Sequence, residues 1–248
     1  VINAQALRLE LGEWGASFSA STDSEVIAQL LVHAPGVNWK ERVSYMMRRL
    51  QGAYSLTVLT KDMVMGIRDP RGVRPLCLGK LDGGWIIASE SCALDHLGGQ
   101  FIREIEPGET VIIDERGVTS IPYSGQLPQP APCVFELIYF ARPDSLIEGK
   151  LTYLTRQEMG RQLAREHPVD ADIVIGVPDS AVAAAVGYAQ ESGIPYSDGL
   201  VRNRYVGRTF IEPDQRIREL GVKMKFNPLP EVIIGKRVII VDDSIVRG

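Results

Sequence analysis

The sequence predicts two successive units, an α+β layered unit followed by an α/β unit built on a parallel sheet. Residues 1–50 carry apolar positions at helical spacing, and from Gly52 short β-like runs punctuated by Gly and Pro turns take over. Pro122, Pro128, Pro130 and Pro132 then crowd one stretch, the composition of a linker. Beyond them, apolar strands alternate with helices, the rhythm of a parallel sheet covered by crossovers.

Each element has a local reason. Ala6, Leu7, Leu9 and Leu11 mark a first helix among polar neighbours. Thr22-Asp23-Ser24-Glu25 reads as a capping box before Val26, Ile27, Leu30 and Leu31, and Pro35-Gly36 stops that helix. Val43, Met46, Met47 and Leu50 continue the helical spacing. Strands are expected over 54–60, 63–67, 76–78, 85–88, 111–113 and 118–121, with turns at Gly83-Gly84, Gly98-Gly99, Pro107-Gly108 and Gly117. After the linker come a helix over about 155–167, an apolar strand at 173–177, a helix over 180–191 and a buried strand at 237–241. The expected units are 1–125 and 126–248.

The 27 Lys and Arg against 31 Asp and Glu leave a net charge of −4, which gives no electrostatic reason to expect nucleic acid or an anionic membrane as partner. No stretch approaches the roughly 20 apolar residues of a membrane helix, and the start has no signal-peptide pattern. Three cysteines with no CxxC pair suit a reducing, cytoplasmic compartment. The chain begins at Val1 without Met and ends at Gly248 just after an apolar run and a carboxylate pair, so it is expected to be a fragment.

The sharpest motif spans 238–248: Val238-Ile239-Ile240-Val241, then Asp242-Asp243 and the loop Ser244-Ile245-Val246-Arg247-Gly248. A buried strand would deliver two carboxylates to the C-terminal edge of a sheet, where ligands of open α/β sheets collect. Such a pair suits vicinal sugar hydroxyls or a hydrated divalent metal, and the small-residue loop can aim N–H groups at a phosphate. The blander alternative is a solvated acidic turn capping a helix. The GxxxxGK partner that would make the strand a Walker site is absent. Gly176-Val177-Pro178-Asp179-Ser180 repeats the logic: Ser180 can act as an ordinary N-cap, or stand on a diphosphate or its metal. The segment 201–211 holds Arg202, Arg204 and Arg208 with Tyr205, Phe210 and a Gly hinge. It is either a loop that closes over an anion or a basic surface loop.

The runs at 136–145, 203–211 and 241–248 together resemble the glutamine phosphoribosylpyrophosphate (PRPP) amidotransferases, also called amidophosphoribosyltransferases. The similarity covers essentially the whole chain. The 238–248 run by itself is similar to the PRPP motif of type I phosphoribosyltransferases. The resemblance implies an incomplete glutaminase domain of the N-terminal-nucleophile hydrolase type, then an incomplete type I phosphoribosyltransferase domain. It implies the first step of de novo purine synthesis. Glutamine is hydrolysed in one domain, and ammonia passes to the other and displaces diphosphate from PRPP, yielding 5-phosphoribosylamine, glutamate and diphosphate.

Residue by residue, the resemblance places Asp23 on the α-amino group of glutamine. Arg204, Tyr205 and Arg208 fall in the closing loop. Asp242, Asp243, Ser244, Arg247 and Gly248 fall on PRPP, and Ser180, Asp242 and Asp243 on Mg²⁺. The family's N-terminal Cys nucleophile, its glutamine-binding Arg and its oxyanion-hole Asn-Gly would precede Val1. No catalytic residue is therefore expected within 1–248, and the chain by itself is expected to lack glutaminase activity. The runs 68–76 and 88–91 also match the glutaminase family and read as architectural. His33, His96 and His167 show no triad spacing. Cys133 matches the first of four thiolate ligands in the family branch that carries a 4Fe-4S cluster, with a buried free Cys as the alternative. A cluster needs about four such ligands, so this chain alone is not expected to hold one. Glutamine, PRPP and inhibitory purine nucleotides are the implied small-molecule partners, and a homo-oligomer the implied assembly. The rival from another class is a non-catalytic PRPP- or nucleotide-sensing regulator of the same fold.

Overall fold

A computed structural model describes residues 1–205 and 221–245. The chain divides into two compact units, Val1–Cys133 and Val134–Gly248. The first unit runs eight residues past the expected end at 125. The Ala131 N–H donates to the Arg71 carbonyl and the Cys133 N–H to that of Val73, both at 2.9 Å, so the proline-rich stretch is stitched to its own unit.

In the first unit, helices α1 (Ala4–Glu13), α2 (Asp23–His33) and α3 (Trp39–Arg49) precede strands β1 (Ser55–Leu59), β2 (Val64–Arg68), β3 (Cys77–Leu81) and β4 (Gly84–Ala88). Helix α4 (Ser91–His96) and strands β5 (Gln100–Glu104), β6 (Thr110–Asp114) and β7 (Gly117–Ile121) complete it. The strands form two antiparallel sheets, ordered β1-β2-β6-β7 and β4-β3-β5. Alternation along β2 and β6 decides the layering. Met65, Ile67 and Ile112 point into a core with Leu7, Leu11, Leu30, Val43 and Met46 of the three helices. Val111 and Ile113 point the other way, against Leu78, Ile87 and Ile105. Gly66 lies on that second face, where a Cβ would come within 2.9 Å of the Ile87 Cδ1 and 3.0 Å of the Ile105 Cδ1, so the glycine gives these two side chains room between the sheets. Leu94 of α4 is fully buried over β3. The layers are therefore helices, sheet, sheet, helix. Strand β5 escapes a sequence reading because Gln100-Phe101-Ile102-Arg103-Glu104 is half polar and pairs only at a sheet edge.

The expected capping box at α2 is built differently. Thr22 is the N-cap but its side chain makes no capping bond. Glu25 instead accepts from the Ser19 and Ala20 N–H groups at 2.7 and 2.8 Å, drawing in the segment that precedes the helix.

The second unit opens with a π-helical turn, Glu136–Phe140, and the short pair β8 (Leu146–Ile147) and β9 (Lys150–Leu151). Helix α5 (Thr152–Glu166), strand β10 (Ile173–Gly176), helix α6 (Val182–Ser192), the ribbon β11 (Leu200–Arg202) and β12 (Phe226–Pro228), and strand β13 (Val238–Val241) follow. Strands β10 and β13 pair in parallel, Ile173 opposite Val238 through Gly176 opposite Val241. Val174 and Val241 pack with Ala164, Ala185 and Tyr188 of α5 and α6. Strand β13 is less buried than its composition suggests. Ile239 and Val241 face the helices, but Ile240 points from the opposite face and is 61% exposed, with no described element over it. An unbroken apolar run reads as buried on both faces, but the described residues cover only one.

Candidate functional site

The parallel pairing fixes where the motif residues meet. Both strands end at the same edge, so the loop after β10 and the loop after β13 lie side by side, tied by the Val177 N–H donating to the Val241 carbonyl at 2.9 Å. Across this junction the Ser180 hydroxyl donates to the Asp243 carboxylate. Ser244 donates its hydroxyl to the other oxygen of Asp243 at 2.6 Å. The Asp243 N–H donates to Asp242 Oδ1 at 2.8 Å. Asp242 and Ser244 are exposed and Asp243 is half-buried. The Asp242 carboxyl lies above the ordinary aspartate range. Partial loss of solvent raises it first and the neighbouring Asp243 charge adds to this, against the bond from the Asp243 N–H. Two adjacent carboxylates and a hydroxyl form an all-oxygen donor set, the chemistry a hard divalent cation or a diol selects.

Neither residue of the β10–α6 turn acts as a helix cap. Ala181 is the N-cap of α6 and no side chain caps it. Ser180 is turned to Asp243 instead, and Asp179 forms an ion pair with Arg202 at the end of β11. The peptide bond between Pro178 and Asp179 is cis. Lys225 stands beside Arg202 across the ribbon, where the Asn203 N–H donates to the Lys225 carbonyl at 2.7 Å. Burial lowers the Lys225 ammonium, and the Arg202 charge lowers it further. The sequence names Asp179 beside Ser180 and Arg202 within the 201–211 segment, but nothing in it joins the two to each other or to Lys225. Their positions are separated by tens of residues, and only the sheet and ribbon bring them to one edge.

Of the expected closing loop, Arg204 and Tyr205 are described and both are exposed, Tyr205 completely. The Tyr205 N–H donates to Asn203 Oδ1 at 3.0 Å. Arg208, with the rest of 206–211, and Arg247 and Gly248 lie outside the described residues.

In the first unit, Asp23 is the first residue of α2 and exposed, so the helix dipole favours its anionic form. It accepts a bond from the Val1 ammonium at 2.8 Å, and that bond and charge hold its carboxyl below the ordinary range. Arg68 and Asp69 are buried and bond chiefly to backbone, with Arg68 also 3.4 Å from the Glu104 carboxylate. Arg68 donates to the carbonyls of Gly72, Arg74 and Ile105, and Asp69 accepts from the N–H groups of Arg71 and Val73. Their role is to shape the 68–76 turn. Cys133 is a half-buried free thiol, and Cys77 and Cys92 are buried. Burial pushes the Cys77 thiol up to about 12. The three cysteines of this chain are fewer than the four thiolates a cluster takes. No group of three or more His, Cys, Asp or Glu converges among the described residues. No helix among them is long and apolar enough to cross a membrane.

Comparison with known proteins agrees with this layout. Residues 1–96 match the model of a glutamine amidotransferase domain. The chain is 51% identical over its whole length to amidophosphoribosyltransferase of Mycobacterium tuberculosis strain H37Rv, of which it covers 48%. It is 50% identical, again over its whole length, to amidophosphoribosyltransferase of Archaeoglobus fulgidus, covering 54% of that relative. Among solved structures, the glutamine PRPP amidotransferase of B. subtilis, complexed with ADP and GMP, superposes with a TM-score of 0.91 at 43% identity, over 99% of this chain and 54% of that one. A second, titled the allosteric regulatory enzyme of purine biosynthesis, gives 0.90 at 44% identity, over 100% of this chain and 53% of that one. The chain spans about half the length of the relatives it matches. With about half its residues identical from end to end and the same fold throughout, the chain belongs to the amidophosphoribosyltransferase family.

Proposed function

We propose that this chain works in glutamine-dependent amination of PRPP, the first step of de novo purine synthesis, which yields 5-phosphoribosylamine, glutamate and diphosphate. The observation that carries the reading is the junction of the two strand-end loops, where the Ser180 hydroxyl meets Asp243 beside Asp242. In this reading the unit Val1–Cys133 contributes to a glutaminase domain and the unit from Val134 to a phosphoribosyltransferase domain. Asp23 holds the ammonium of glutamine by a charge-assisted bond. Asp242 and Asp243 accept bonds from the ribose hydroxyls and so fix the sugar for attack by ammonia at its anomeric carbon. Diphosphate leaves with the bonding electrons. Ser180, Asp242 and Asp243 would hold Mg²⁺, which neutralises charge on the departing diphosphate when bound. The oxygen donor set fits that ion, which needs only one or two protein carboxylates beside water and phosphate. Ser244, Arg247 and Gly248 are the residues this reading assigns to the phosphates of PRPP, and Arg204, Tyr205 and Arg208 those it assigns to the closing loop. Purine nucleotides act as inhibitors of the complete protein, a reading supported by the ADP and GMP in the B. subtilis structure. Three free cysteines support a reducing cytoplasmic setting.

A PRPP sensor of the same fold has no use for ammonia, and the glutamine amidotransferase match over residues 1–96 favours the enzyme. The product of the complete reading frame should form 5-phosphoribosylamine from PRPP with either glutamine or ammonia. PRPP binding without release of diphosphate in both assays would replace the enzyme with the sensor.

A further inference from the structure

The ion pair between Asp179 and Arg202 touches none of the groups assigned above to a ligand, yet it lies next in sequence to one of them. Ser180 reaches Asp243 from a turn that no helix cap holds, since Ala181 is the N-cap of α6 and lacks a side-chain bond. Two side-chain contacts leave that turn among the described residues: Asp179 to Arg202, and Ser180 to Asp243. Arg202 is a firm anchor. It ends β11, its backbone is in register with Phe226 of β12, and the next residue, Asn203, bonds both Lys225 and Met224 carbonyls. Lys225 adds a second positive charge that acts on Asp179.

We propose that Asp179 is a positioning residue: through Arg202 it clamps the β10–α6 turn to the β11–β12 ribbon, and so presents the Ser180 hydroxyl to Asp243 in the geometry that receives a phosphoribosyl ligand and its cation. The proposal rests on the function given above. Its energetic character is specific. The Asp179 side chain is 67% exposed and that of Arg202 35% exposed, so the pair adds little to global stability. A displacement of about 1 Å at a reacting site, by contrast, costs up to about a hundredfold in rate. Loss of the clamp should therefore appear in ligand use before it appears in unfolding.

The test uses Asp179→Asn, Arg202→Gln and the double variant in the complete protein. Ammonia-driven kinetics separate KM from kcat for PRPP, and amide hydrogen exchange is followed over residues 177–181 and 242–245. Each single variant should raise the KM for PRPP about threefold to tenfold, in line with loss of one partly exposed charged contact. The melting temperature and glutamine hydrolysis without PRPP should stay unchanged. The double variant should be no worse than the worse single one, because both remove the same clamp, and Asp179→Glu should recover part of the loss. Exchange should quicken in both segments together. Additive effects, an unchanged KM, or quickened exchange confined to 177–181 would overturn the proposal. If the unaltered protein does not turn over PRPP, the functional reading fails. The exchange data then decide the clamp by themselves: quickening at 242–245 in Asp179→Asn upholds it, and no change there refutes it.

Discussion

Asp243 takes bonds from Ser180 and Ser244 on its two oxygens, and Asp242 from the Asp243 N–H, so the pair is oriented before any ligand arrives. Replacing either Asp by Asn keeps the shape and removes the charge. A hydrogen bond to a charged group is worth roughly 1.5–3 kcal/mol, so each single change should weaken PRPP use in ammonia-driven synthesis by about tenfold or more. Wild-type PRPP kinetics and Mg²⁺ dependence in both variants would show that the motif is not the PRPP site. A second residue-scale case is Glu109, whose carboxyl is buried. Burial by itself raises that carboxyl, but two bonds from Arg103 at 2.6 and 2.7 Å, one from the Ser120 hydroxyl at 2.5 Å and one from the Glu106 N–H at 2.8 Å outweigh it. Its folded pKa therefore lies below the unfolded one. The stability it adds is fully present above the ordinary glutamate value and is lost as pH falls through the depressed one. Urea melts should show Glu109→Gln less stable at pH 7 by about 1–3 kcal/mol, with the gap to the parent closing as the pH drops below about 4. A gap that does not change with pH would mean that packing, not charge, holds this site.

At the scale of elements, α5 and α6 pack against each other at two glycines. A Cβ on Gly160 would sit 1.8 Å from the Ala184 carbonyl oxygen, and one on Gly187 would sit 1.9 Å from that of Gln157. These are backbone atoms, which cannot swing aside, so the helices must separate. Overpacking of this kind costs typically about 1–3 kcal/mol. Gly160→Ala should lower the denaturation midpoint by at least that equivalent, and Gly160→Ala with Gly187→Ala should cost more than either change alone. A Gly160→Ala protein as stable as the parent would show that the helices pack further apart than this. Because α6 also follows the Ser180 turn, such a shift should raise the KM for PRPP as well. The longer helices, and most strands, are legible from the 3.6 and 2 periodicities, since core faces repeat along the chain. The two glycines lie inside segments that read as helices, and nothing local reveals a neighbour's carbonyl.

At the scale of the whole molecule, the residues expected on glutamine and those expected on PRPP fall in different compact units, Asp23 before Cys133 and Ser180, Asp242 and Asp243 after it. Their chemistry should separate accordingly. Asp23→Ala in the complete protein should raise the KM for glutamine while ammonia-driven synthesis stays near normal, and Asp243→Asn should do the reverse to PRPP use. Equal loss of both activities in Asp23→Ala would assign that residue to folding.

The sequence by itself determined the two-unit plan, the helical start, the parallel α/β rhythm of the second half and the carboxylate pair at a strand end. All of these follow from periodicity or from residues adjacent along the chain. It also singled out Ser180 next to Asp179, but left open whether the serine caps a helix. Only the tertiary structure decided that. The parallel register of β10 and β13 sets two loops 63 residues apart against each other, and the hydroxyl turns to Asp243 instead of the helix. The same holds for Asp179 with Arg202, and for Ile240, whose apolar neighbours promised burial on both faces while the sheet is covered on one. Contacts of this kind depend on which strands pair and which faces are covered, and no local pattern of residues encodes either.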